Sequence, residues 1–150
     1  MTLNSGHAPT PFSPAREASV APSLLVVDDD AIQRRIIGKL GRQAGFAIME
    51  SPSVVDATQI LHSHRMDCAT IDLSLGEQSG LELISTIARI SPRILVLIIS
   101  GRSEETLNAS KKFAIESGLS VHETFPKPLN LSGVRDSLLR AAQKLDPAYP

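Results

Sequence analysis

Short, continuous apolar runs alternate with helical stripes along most of the chain. Leu24-Leu25-Val26-Val27 is an unbroken apolar run, the pattern of a strand buried on both faces. Ile32, Ile36, Ile37 and Leu40 follow at helical spacing, and Gly45 closes that segment. Phe46 to Glu50 reads as a weak second strand. Ser53 is placed to cap a helix carrying Ala57, Ile60 and Leu61 on one face. Cys68 to Ile71 is the third strand, and Leu81, Ile84, Ile87 and Ala88 mark the third helix. Ile94 to Ile99 is the strongest strand, six aliphatic residues in a row. A helix is expected over Glu104 to Glu116, with Gly118 near its end. Val121 to Phe125 mixes polar with apolar residues and ends at Pro126, as an edge strand does. Leu131, Val134, Leu138, Ala142 and Leu145 form the last helical stripe.

Strands alternating with helices in this way imply an α/β fold: a (βα)5 doubly wound, five-stranded parallel sheet with right-handed crossovers. Such sheets bind ligands beyond the carboxyl ends of their strands. Residues 1–22 hold four prolines among scattered Ser, Thr and Ala, without apolar periodicity, and are expected to stay disordered. Residues 146–150 look similar, which leaves one domain over about 23–145.

Composition narrows the partners. Lys plus Arg number 15 and Asp plus Glu 16, so there is no basic footprint for direct nucleic-acid binding. No run approaches the roughly 18 apolar residues of a membrane span, and no apolar leader segment is legible near the start. Cys68, the lone cysteine, sits in an apolar run and reads as a core residue compatible with a reducing cytoplasm.

The chemistry gathers where apolar strands stop. Strand one ends in Asp28-Asp29-Asp30, strand three in Asp72 and strand four in Ser100, and Lys127 follows strand five. Clustered carboxylates repel one another unless a cation offsets them, and an oxygen-only donor set suits a hard divalent ion, Mg²⁺ above all. A carboxylate, a lysine, a hydroxyl and such an ion together suit phosphoryl transfer. The ion and the lysine offset charge on the phosphoryl oxygens, and a carboxylate oxygen can act as nucleophile. Asp30 reads better as the cap of the first helix. His7, His62, His64 and His122 form no motif and are expected on the surface.

In order and spacing, LLVVDDD, TIDLSLGEQSGLELI, VLIISG and FPKPL resemble the motifs of response-regulator receiver domains of two-component signalling. The resemblance implies a cytoplasmic phospho-acceptor rather than an enzyme beyond self-phosphorylation and autodephosphorylation. Asp72 would take a phosphoryl group from a sensor histidine kinase or phosphotransfer protein. Asp29 would bind Mg²⁺ directly, Asp28 directly or through water, and Asp72 and the backbone carbonyl of Ser74 would complete the ligands. Ser100 would be the switch hydroxyl, Lys127 the cation on the phosphoryl group, and Lys127–Pro128 a cis peptide.

Two positions depart from the family. Gly76 stands where a proline is usual, which suggests a more mobile loop. Thr124 stands where an aromatic is frequent, with Phe125 expected on the opposite strand face. The stretch around Lys112 to Val121 is longer than in compact receivers, as in receivers fused to EAL-type phosphodiesterases. With no output domain read after Leu145, the signal is expected to leave through a protein partner or a second copy on the face of helix four, strand five and helix five. Two other classes compete. One is a receiver-fold binding module that is never phosphorylated. The other is a haloacid-dehalogenase-type phosphatase using Asp28 and Asp30, which leaves Asp72 unexplained.

Overall fold

The computed structural model describes residues 20–75 and 78–148. All but the last three residues of the expected tail, together with His7 and Gly76, lie outside the described residues. Five strands build the sheet: β1 (Ser23–Val27), β2 (Ala47–Ser51), β3 (Cys68–Asp72), β4 (Leu95–Ser100) and β5 (Ser120–Pro126). The helices are α1 (Ala31–Gln43), α2 (Val54–Ser63), α3 (Gly80–Ile90), α4 (Glu104–Glu116) and α5 (Leu131–Leu145). Ser74–Leu75 and Gln78–Ser79 form a small antiparallel hairpin between β3 and α3.

All pairings in the large sheet are parallel, and the strand order is β2-β1-β3-β4-β5. The chain winds outward from β1 to one edge, then returns to β3 and winds to the other. The switch point therefore lies between β1 and β3, where a ligand crevice is expected. β1, β3 and β4 are buried along nearly their whole length, which is why they read as unbroken apolar runs. Helices α2, α3 and α4 cover one face through a core that includes Leu25, Ile71, Leu83, Ile84 and Ile98. Helices α1 and α5 cover the other through Leu24, Val26, Ile37, Leu97 and Leu138.

Local signals set the helix starts. Ser53 Oγ accepts from the Asp56 amide at 3.1 Å and caps α2. Asp30 Oδ1 accepts from the Ile32 and Gln33 amides at 2.9 and 3.2 Å and caps α1. Gly45, with φ +103°, lets the chain leave α1 and enter β2 in a conformation other residues rarely adopt. The Lys127–Pro128 peptide is cis, as expected.

Three expectations need correction. Ile32 is 73% exposed and Ile36 is also on the surface, so α1 buries a narrower stripe, built on Ile37 and Leu40. β2 begins one residue later than expected, with Phe46 buried ahead of it. His122 is not a free surface residue. It is half-buried on β5, its Nε2 lies 3.1 Å from the Ser137 carbonyl, and its Nδ1 is buried without a partner. Among the described residues no helix is long and apolar enough to cross a membrane.

Candidate acidic site at the strand carboxyl ends

Neighbouring strands stop in register, and that register assembles the site. Asp72 lies beside Ile99, the residue before Ser100, and Ser100 lies beside Pro126, the residue before Lys127. Backbone bonds extend the ladders past the strand ends: Asp28 N to the Ser51 carbonyl, Leu73 N to Ile99 and Lys127 N to Ser100, at 2.9 to 3.0 Å. Asp28, Asp72, Ser100 and Lys127 thus rise from four strands into one crevice. Gly80 keeps the returning chain close. A Cβ there would stand 2.6 Å from the Cα of Leu73, the neighbour of Asp72.

Carboxylate oxygens of Asp28, Asp29 and Asp72 lie within 4.8 Å of one another. Asp28 and Asp72 are buried, while Asp29 is exposed. Lys127 Nζ donates to Asp72 Oδ2 at 2.6 Å, and the Ser74 amide donates to Asp72 Oδ1 at 2.8 Å. Asp28 Oδ1 accepts from the Asp30 amide at 2.9 Å, and Asp28 Oδ2 accepts from the Gln33 side-chain amide. Burial pushes the Asp28 carboxyl above the usual carboxylate range. The Asp72 charge adds to that, against the two amides and Lys127. Ser100 is fully buried, and its Oγ accepts from the Arg102 amide at 3.0 Å.

Three carboxylates face one lysine in this crevice, so negative charge is in excess. The clustered donors are all carboxylate oxygens, the set a hard divalent cation requires, and such an ion would offset that excess. The same geometry speaks against a phosphatase built on Asp28 and Asp30. Asp30 Oδ1 is committed to the first turn of α1, and the lysine pairs with Asp72.

The structure adds two residues with no motif of their own. Gln33 bonds Asp28 and reaches to 3.5 Å from Asp72 Oδ2. Arg34 bridges the Asp28 carbonyl at 2.7 Å and Glu50 at 3.2 Å, tying the end of β1 to α1 and β2. On β5 a register irregularity falls after Val96, so that Val121 and Glu123 oppose successive β4 residues and His122 is the extra one. Beyond it, Phe125 packs with the α1/α5 core while Thr124 faces the other way, as expected.

Residues 24–138 match the family model "Response regulator receiver domain". The chain is 32% identical over 117 residues to the regulatory protein VirG of Rhizobium rhizogenes, covering 78% of this chain and 45% of that protein. It is 34% identical over 113 residues to the acid tolerance regulatory protein ActR of Sinorhizobium medicae, covering 72% and 58%. The chain thus spans about half the length of these relatives. In fold it resembles a response regulator from Colwellia psychrerythraea, with a TM-score of 0.72 at 21% identity over 83% of this chain and 98% of that one. It also resembles one from Burkholderia pseudomallei solved with a phosphorylated aspartic acid and a calcium ion, with a TM-score of 0.66 at 22% identity over 83% and 70%. With the family match running from β1 into α5 over the strands that carry the acids, the hydroxyl and the lysine, the chain belongs to the response-regulator receiver domain family.

Proposed function

We propose that Asp72 accepts a phosphoryl group from a phosphohistidine on a sensor histidine kinase or phosphotransfer protein, in an Mg²⁺-dependent reaction that changes the chain's affinity for a protein partner. The observation that carries this reading is the 2.6 Å contact between Lys127 Nζ and a buried Asp72 carboxylate, inside a cluster of three acids. An Asp72 oxygen forms the new O–P bond while the P–N bond to the donor imidazole breaks, and that bond's electron pair stays on the imidazole nitrogen. Asp28, Asp29, Asp72 and the Ser74 carbonyl would hold Mg²⁺. Bound there, the ion supplies positive charge beside the phosphoryl oxygens. Lys127 offsets charge on a second side of the phosphoryl group. The Ser100 hydroxyl accepts from the Arg102 amide and keeps its proton for a phosphoryl oxygen.

The phosphorylated state then draws on Ser100 and the start of α4, so the face of α4, β5 and α5 is where a partner or second copy would read it. A cytoplasmic location fits a phosphohistidine donor. Intact-mass spectrometry after treatment with acetyl phosphate and Mg²⁺ tests the reading. One added phosphoryl group is expected in the wild type and none in Asp72→Asn, and equal labelling of that variant would refute it.

A further inference from the structure

Gln33 is the third residue of α1, and the Asp30 cap holds its backbone amide at 3.2 Å. That cap locks the first helical turn and aims the Gln33 side chain back at the acids. Its Nε2 donates to Asp28 Oδ2 and lies 3.5 Å from Asp72 Oδ2, the oxygen that Lys127 also engages. Between two carboxylates the amide must present its nitrogen, because its oxygen would meet only acceptors. A neutral side chain thus places partial positive charge between Asp28 and Asp72, two of the residues that would hold a divalent ion.

We infer that Gln33 is a positioning residue that competes with the divalent cation, its amide weakening cation affinity by holding the Asp28 oxygen and facing Asp72. This rests on reading the acid cluster as a cation site. The same carboxylate lone pairs cannot serve both the amide hydrogens and the ion, and the amide hydrogens repel the ion. Binding the ion therefore breaks the Gln33 contact. In doing so it gives up a hydrogen bond to a charged group, the stronger kind. By linkage, Gln33 stabilises the cation-free fold and raises the cation concentration at which Asp72 becomes reactive.

Two variants test this. Gln33→Leu removes the donor at similar volume, and Gln33→Ala removes it without placing apolar bulk beside carboxylates. The chain has no tryptophan, so Mg²⁺ affinity is read by calorimetry rather than indole fluorescence. Both variants are expected to bind Mg²⁺ about three- to tenfold more tightly than wild type, part of what a hydrogen bond to a charged group is worth. Both should also melt lower than wild type in chelator, with the gap closing at saturating Mg²⁺. Equal or weaker Mg²⁺ binding in both variants overturns the inference and leaves the wild-type cation site standing. A melting gap that persists at saturation also overturns it, because a purely structural contact would be lost in both states. If wild type itself shows no saturable Mg²⁺ binding, the cation-site reading falls and the inference falls with it.

Discussion

In a Gln33→Leu background, where the amide bond from Gln33 to Asp28 is already gone, replacing Asp28 by asparagine should stabilise the Mg²⁺-free protein while removing most of its response to Mg²⁺. Asp28 and Asp72 are both buried, with carboxylate oxygens within 4.8 Å of each other. At an effective dielectric near 20, two unit charges at that separation repel by about 3.5 kcal/mol. Lys127 cancels part of the Asp72 charge that Asp28 feels, since its Nζ is 2.6 Å from Asp72 Oδ2. The third acid, Asp29, is exposed, and solvent screens it. The net relief is then about 1–2 kcal/mol, or about 3–8 °C in melting temperature for a domain of this size. The introduced asparagine would still offer a carbonyl oxygen to the Asp30 amide, which Asp28 Oδ1 engages at 2.9 Å. Asp28→Ala would not, and should melt below Asp28→Asn. The assay is thermal denaturation followed by circular dichroism, in chelator and at saturating Mg²⁺. Gln33→Leu should gain stability from Mg²⁺, and Gln33→Leu/Asp28→Asn should start higher and gain little. If the double variant melts at or below Gln33→Leu in chelator, the buried acids are not in the mutual repulsion described, and if it keeps the full Mg²⁺ increment, Asp28 does not hold the ion.

Gly80→Ala should destabilise by about 1–3 kcal/mol in a denaturant titration, because its Cβ would meet the Leu73 backbone at 2.6 Å. An unchanged midpoint would mean the hairpin and α3 shift freely. Asp30→Ala should lower stability by about 1 kcal/mol, and Asp30→Ser should restore it with Mg²⁺ affinity nearly unchanged from wild type. A large loss of Mg²⁺ affinity in Asp30→Ser would make Asp30 a ligand rather than a cap. His122 binds its proton less readily in the fold than its ordinary value of 6.5, chiefly because it is buried and partly because of Lys144, against the Ser137 carbonyl. Below about 6.5 the unfolded chain therefore binds more protons at this position than the native one, so stability is complete above that pH and declines as pH falls below it. Replacing His122 by glutamine should flatten that decline in pH-dependent denaturation curves, and an unaltered slope would exclude His122 as its source.

The fold was legible because local chemistry and burial point the same way. β1, β3 and β4 are covered on both faces, so their sequences need no polar alternation and stand out as apolar runs. Ser53 and Asp30 act within three residues of themselves, so their capping roles are properties of short segments. The acids, the serine and the lysine were legible as a group because each follows a strand, and parallel strands end on the same side of a sheet.

Whatever depends on residues far apart in the chain was decided only by tertiary structure. The pairing of Lys127 with Asp72 spans 55 positions, and its 2.6 Å distance follows from the β3–β4–β5 register. Ile32 and Ile36 keep helical spacing with Ile37, yet the turn of α1 relative to the sheet leaves them outside, since periodicity defines a stripe but not its edges. The extra residue on β5 changes which face later side chains meet, and no local signal marks His122 for it. Gln33 was invisible for the same reason. A glutamine in a first helical turn is ordinary by itself, and it acquires meaning only because strand order brings Asp72, 39 residues away, beside Asp28.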